Sequence, residues 1–242
     1  MMLFNRTEKE KLLSEIASGK LSHAYLIEGG EGCGKTYFAR FAAAAVLCTG
    51  DKPPCGKCPS CVKALAGSHP DLFYFSPDKK ASMGVETARD IKKSLFFMPN
   101  DGDRKVYIID DAQKMTVQAQ NALLKFIEEP PASVLFFIVA DKKESLLPTV
   151  VSRTRIISLA PSDNADIRRF LMSESKKSGG EQIDEAINMA EGSPGKALKL
   201  LCRDFSRQRQ LCLDFMPVLV STSKSDAMAF LLSMKLNRDG VK

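Results

Sequence analysis

Gly29-Gly30-Glu31-Gly32-Cys33-Gly34-Lys35-Thr36 lies between a short apolar run, Ala24-Tyr25-Leu26-Ile27, and a stretch rich in Ala and Phe, Tyr37 to Leu47, that holds neither Pro nor Gly. The order reads as buried strand, glycine loop, helix. The octet matches Gly-x4-Gly-Lys-Thr in full. Its glycines let successive N–H groups turn inward around a phosphate, and the helix behind it presents a positive N-terminus to the same anion. Lys35 is placed to reach the β- and γ-phosphates, and the Thr36 hydroxyl to bind magnesium. The competing reading, a glycine-rich turn with a chance lysine, leaves the flanking strand and helix unexplained. All eight residues, Gly29 to Thr36, are therefore candidate contacts for ATP with Mg2+.

Working outward, Glu8 to Ile16 has apolar residues at helical spacing. Asp71 to Phe75, Lys105 to Ile109, Val134 to Val139 and Arg155 to Leu159 read as strands. Val85 to Phe96 and Val117 to Ile127 read as helices, the second closed by Glu128-Glu129-Pro130-Pro131 because proline cannot continue it. Several of these strands are apolar throughout, which marks a parallel sheet covered on both faces. The expectation is an α/β domain over residues 1–160, interrupted by a cysteine module at 48–61. Pro161-Ser162-Asp163 signals a boundary and a helix cap. A small helical domain is expected over 161–202, broken at Ser178-Gly179-Gly180 and at Gly192-Ser193-Pro194-Gly195. A short helical remnant follows at 203–242.

Val106-Tyr107-Ile108-Ile109-Asp110-Asp111 is an apolar strand that ends in two acids. Asp110 is the candidate second magnesium ligand, directly or through water. Asp111 stands where a carboxylate would orient an attacking water, one methylene shorter than the glutamate usual in such ATPases. Cys48, Cys55, Cys58 and Cys61 follow the pattern Cys-x6-Cys-x2-Cys-x2-Cys, with Pro and Gly between the thiols. Four thiolates on tight turns close a tetrahedron around a structural Zn2+. An iron–sulfur cluster or four unligated thiols are the alternatives at this point. Cys33, Cys202 and Cys212 read as apolar or surface residues, and His23 and His69 as structural.

Composition narrows the class. Seven cysteines and a formal charge of +6, from 35 Lys and Arg against 29 Asp and Glu, suit a reducing compartment and mild attraction to phosphates. No signal-peptide core and no apolar run of membrane-spanning length is present, so a cytoplasmic protein without membrane contact is expected.

The loop, the inserted four-cysteine module, Gly67-Ser68-His69-Pro70-Asp71-Leu72, the Asp110-Asp111 strand end, QNALLKFIEEPP at 120 to 131 and Ser152-Arg153 occur in one order. In that combination the chain resembles the AAA+ subunits of the bacterial sliding-clamp loader, the delta-prime and gamma/tau subunits of DNA polymerase III, from about Leu21 to Leu200. The resemblance implies that Arg153, in Ser152-Arg153-Thr154 where the family has Ser-Arg-Cys, is an arginine finger acting in trans on a neighbour's ATP. It also implies an AAA+ fold with a helical lid, and partnership with the gamma/tau and delta subunits, the sliding clamp and primed DNA. Two positions depart from the motor subunits. Ala140-Asp141 replaces a sensor threonine, and Gly195 replaces a sensor arginine. Gly192-Ser193-Pro194-Gly195 is the delta-prime version, which implies a subunit that holds nucleotide and hydrolyses it poorly. The Cys48 to Cys55 spacing is shorter than the family's, and only about forty residues follow Cys202 where the family has a collar domain. Three other readings stand beside this one: a gamma/tau motor with its own ATPase, a P-loop kinase for a small molecule, and a zinc-dependent DNA-binding module.

Overall fold

The computed structural model describes residues 4–77, 82–95, 97–174 and 180–201. In chain order the elements are α1 (Arg6–Ala17), β1 (Ala24–Glu28), α2 (Lys35–Val46), α3 (Pro59–Ala66), β2 (Leu72–Phe75), α4 (Val85–Leu95), β3 (Lys105–Ile109), α5 (Val117–Glu128), β4 (Val134–Ala140), α6 (Pro148–Val151), β5 (Arg155–Ser158), α7 (Asn164–Glu174), α8 (Gly180–Ala190) and α9 (Pro194–Leu200).

Within each apolar run, alternate residues serve opposite faces. Along β4, Leu135, Phe137 and Val139 enter one core cluster, whereas Val134, Phe136, Ile138 and Ala140 enter the other. A strand with period two that is apolar at every position has to be covered on both sides. The first face is covered by α1, α2 and α3 through Leu12, Phe38, Ala39, Ala42, Ala43 and Ala64. The alanines of α2 carry almost no side-chain bulk, so that helix lies close against the sheet. The second face is covered by α4 and α5 through Ile91, Leu95, Ala119, Leu123 and Ile127.

Among the described residues the five strands are all parallel, in the order β2-β3-β4-β1-β5. The parallel α/β sheet expected from the sequence is thus present. Burial follows position in the sheet: β3 and β4 are buried at every residue, while the edge strands β2 and β5 each have exposed positions. The order matters for chemistry, because ligands of open α/β sheets bind beyond the carboxyl ends of the strands. Here β1, β4 and β3 lie side by side, so the loops that follow them share one edge.

Two short helices were not legible in the sequence. α3 sits inside the cysteine module, with Cys58 as its N-cap and Pro59 at the first turn, a position that tolerates proline. α6 is a single turn that starts at Pro148. In addition, α2 begins at Lys35, two residues before the expected start.

Helices α7 to α9 bury Ile167, Leu171, Ile183, Ile187, Ala190 and Ala197 in a third, separate cluster. Phe4, from the N-terminal segment, joins that cluster and meets Phe170 edge to face at 5.5 Å. Phe96, Ser178, Gly179, Cys202, Cys212 and the helical remnant expected at 203–242 lie outside the described residues. Among the described residues no helix is long and apolar enough to cross a membrane.

Candidate functional site

Gly34 is the N-cap of α2 and takes a left-handed conformation (φ 94°) that a side chain would disfavour. With no side chain at the cap, the first turn of α2 is left open toward the cleft, the arrangement that receives anions. Lys35 Nζ donates to the carbonyls of Gly29 (2.7 Å) and Gly30 (3.0 Å) and to Asp141 Oδ1 (2.8 Å). All three of its protons are thereby taken within the protein. The Cys33 side chain turns into the core, as expected for a small apolar residue, and burial raises its thiol pKa.

Asp110 leaves the carboxyl end of β3, and its Oδ2 accepts from the Thr36 hydroxyl at 2.9 Å. The two residues expected to share a magnesium ion are therefore in direct contact. The same Oδ2 accepts from the Tyr74 hydroxyl. Burial and that bond raise the Tyr74 pKa above its ordinary value, so its proton stays on the ring oxygen. Asp111 pairs with Lys114 at 2.6 Å, and Gln113 Nε2 donates to both Asp111 Oδ1 (3.2 Å) and Asp141 Oδ2 (3.0 Å). Lys35, Thr36, Asp110, Asp111 and Asp141 line one cleft of about 470 Å3, together with the apolar side chains of Phe4, Tyr37, Phe170 and Pro194. That volume and that mixture of apolar wall and convergent polar groups suit a small polar ligand.

The helical unit closes on the loop from above. Ser193 Oγ donates to the Glu31 carbonyl (2.8 Å), the Gly195 N–H donates to the Gly32 carbonyl (2.8 Å), and Lys199 pairs with Glu31 (2.7 Å). Tyr74, Gln113, Phe4 and Phe170 escaped the sequence reading, since nothing local marks them. In sequence Asp141 shows only as a departure from the motor subunits. Its signal was available, because it ends the β4 apolar run just as Asp110 ends that of β3.

The four cysteines Cys48, Cys55, Cys58 and Cys61 are brought together, with all Sγ atoms within 4.8 Å of one another. A tetrahedron of Zn–S bonds has S···S edges of about 3.8 Å, and Cys48–Cys58 and Cys55–Cys61 each stand at 4.0 Å. Sulfurs that bind separate irons of a cluster would stand farther apart, so the geometry fits a single four-coordinate ion. Backbone N–H groups already point at the sulfurs: Gly50 and Cys55 at Cys48, Cys58 at Cys55, and Cys61 at Cys58. Donation from Cys61 and Thr49 brings Cys58 down to about 5, while burial pushes Cys61 up to about 12. A cation among the four sulfurs would offset that burial. The group sits at the far end of α2 from Lys35, about 18 Å away for twelve helical residues, so it can hold a fold but not touch the cleft.

Arg153 stands elsewhere again. It precedes β5, whose first residue Arg155 is level with Tyr25 in β1, whereas the glycine loop follows Glu28 at the opposite edge of the sheet. Those four rungs alone separate them by about 10 Å or more. Its guanidinium is partly exposed, paired with Glu128 at 2.8 Å and donating to the Thr149 carbonyl at 3.0 Å. His69 is buried, its Nδ1 accepting from the Asp71 N–H and its Nε2 meeting Ser60 Oγ at 2.9 Å. With Nδ1 as acceptor, Nε2 carries the proton, so Ser60 is not activated and the contact only ties α3 to β2.

A family model described as "DNA polymerase III, delta subunit" matches residues 4–163. The delta' subunit of DNA polymerase III from Escherichia coli is 35% identical over 212 residues, which cover 86% of this chain and 63% of that one. The gamma/tau subunit from Mycobacterium tuberculosis is 33% identical over 193 residues, covering 76% of this chain and 33% of that one. The chain thus spans less than two thirds of the length of these relatives. A gamma subunit-related protein of Thermotoga maritima shares the fold, with a TM-score of 0.54 at 21% identity over 94% of this chain and 74% of that one.

Proposed function

Because the chain belongs to the DNA polymerase III delta subunit family, we propose that it is a delta-prime-like subunit of the bacterial sliding-clamp loader. In this reading residues 1–160 form the AAA+ nucleotide-binding domain and 161–202 its helical lid, and 203–242 are the remnant of a collar-type domain. The chain binds ATP with Mg2+ at Gly29 to Thr36, hydrolyses it poorly, and contributes Arg153 to the ATP site of a neighbouring subunit. Its partners are the gamma/tau and delta subunits, the sliding clamp, and primed DNA within the assembled complex.

The observation that carries this reading is the placement of Arg153 at the sheet edge opposite the chain's own loop, partly exposed and beyond reach of the cleft. An arginine so placed can reach a site on another chain, where it would stabilise charge developing on a transferring phosphoryl group. The cleft supports the nucleotide assignment through its own residues. Lys35 is positioned to leave its carbonyl contacts for phosphate oxygens, and Thr36 with Asp110 to hold the metal. Magnesium there would bridge phosphate oxygens and neutralise their charge. The Asp111 carboxylate is already engaged by Lys114 and Gln113 and would have to leave them to orient a water. The four-cysteine group is assigned to structural zinc.

One observation favours the motor reading: the loop is complete and Thr36 meets Asp110 directly. The test separates the two. The subunit is mixed with gamma/tau and delta, and ATPase is measured for the complex and for the subunit alone. We expect little turnover alone, a complex rate that falls at least about a hundredfold with Arg153→Ala, and unchanged nucleotide affinity in the variant subunit. Steady ATPase of the lone subunit that disappears with Lys35→Ala would make it a motor instead.

A further inference from the structure

We propose that Asp141 sets which phosphate chain this cleft holds, and that it favours a nucleoside diphosphate over the triphosphate. The inference rests on the nucleotide-binding reading and sharpens it. Strand order places the residue: β4 lies between β1 and β3, so the residue that follows β4 emerges between the glycine loop and Asp110. The Asp141 carboxylate then lies 2.8 Å from the Lys35 ammonium, the group that reaches toward the outer phosphates in loops of this kind.

Asp141 is held there from two sides. Its Oδ2 accepts from Gln113 at 3.0 Å, and its backbone carbonyl accepts from the Gly29 N–H at 3.2 Å, which ties the end of β4 to the start of the loop. The carboxylate therefore meets Lys35 from the strand-end side, beside the acids where the outer end of a phosphate chain is expected. A third phosphate has to displace it from Lys35 and bring two anions close together. A diphosphate, cradled by the loop amides, shares Lys35 through its β-phosphate but brings no third anion up to the Asp141 carboxylate. Apart from a magnesium ion, which Thr36 and Asp110 would hold, the cleft lining does little to relieve the repulsion. Asp110 and Asp111 share the same edge, Lys114 is already paired to Asp111, and Gly195 brings no positive side chain from the lid.

The experiment is calorimetric titration of the full chain with MgADP and with MgATP, for the wild type and for Asp141→Asn. The substitution removes the charge and keeps the shape. Asp141 is half exposed, so the fold should tolerate the change, and a melting curve of each protein checks this. The wild type should bind MgADP about fivefold more tightly than MgATP, the scale of one partly exposed charge contact of about 1 kcal/mol. In Asp141→Asn the two affinities should converge to within about twofold. The ratio is the readout, because freeing Lys35 changes both affinities while only the triphosphate loses a repulsive neighbour. Equal affinities in the wild type, or a preference that survives in Asp141→Asn, overturns the proposal and leaves nucleotide binding standing. Binding of neither nucleotide to either protein overturns both.

Discussion

The N–H of Gly195 donates to the carbonyl oxygen of Gly32 at 2.8 Å, so the first turn of α9 rests on the glycine loop with no side chain between them. A β-carbon on Gly195 would stand 2.8 Å from Gly32 Cα and 3.0 Å from Gly32 O. One on Gly32 would stand 2.4 Å from Ser193 Oγ and 3.0 Å from the Lys196 nitrogen. The neighbours at Gly195 are backbone and cannot swing aside. An arginine there would be incompatible with this closed lid, which gives a physical reason why the position carries glycine.

Gly195→Ala is therefore expected to destabilise the protein. Overpacking of this kind costs about 1–3 kcal/mol, which lowers the melting temperature of a domain of this size by roughly 2–12 °C. Differential scanning calorimetry reads it directly. An unchanged melting temperature would mean that the lid does not rest on the loop in solution.

The cysteine group predicts one zinc per chain. Protein purified without chelator should contain it, and Cys55→Ser should lose it together with stability, since a structural metal stabilises only the folded chain. Nucleotide affinity should stay within about twofold where the fold survives, because the site is about 18 Å from Lys35 along α2. Metal content well below one equivalent would remove the assignment.

For Arg153 the structure predicts a small effect on the chain itself. Its pair with Glu128 at 2.8 Å is solvent-accessible on both sides, and such pairs contribute about 0–1 kcal/mol. Thermal unfolding of Arg153→Ala should therefore shift by no more than a few degrees. A loss of complex ATPase in a protein that melts normally points to the neighbour's site. A large drop in melting temperature would mean that Arg153 holds its own fold.

Much of this molecule was legible in the sequence because its signals are local. Glycine, lysine and threonine at fixed spacing, apolar runs bounded by acids or prolines, and four closely spaced cysteines each dictate their own geometry. The strands and the longer helices followed from them. What escaped depends on which strands become neighbours. Tyr74 reaches Asp110 because β2 pairs with β3, and Asp141 reaches Lys35 because β4 sits between β3 and β1. Periodicity does not encode that order. Helix α3 was hidden for a different reason: its cap is a cysteine, which carries no helix-start signal of its own. Phe4 was hidden because it joins a core some 160 residues further along the chain.

Asp71 offers a prediction about pH. Its buried carboxylate accepts from the Asn100 N–H (2.7 Å), Asn100 Nδ2 (2.9 Å) and the Asp101 N–H (2.8 Å), tying the start of β2 to the turn before β3. Burial alone would raise its pKa, but these donors outweigh it and hold the carboxyl below its ordinary 3.8. A folded pKa below the unfolded one means that the ionised group stabilises the fold above about pH 4. That contribution is lost as the pH falls through the lower, folded value. Asp71→Asn should therefore be less stable than the wild type at pH 7, by about 1–3 kcal/mol for the unsatisfied donors it leaves. It should also lose less stability on acidification to pH 3. Other carboxylates titrate equally in both proteins, so the gap between the two unfolding curves isolates Asp71. The gap should narrow as the pH falls, and a gap of constant size would show that the bonds at Asp71 do not depend on its charge.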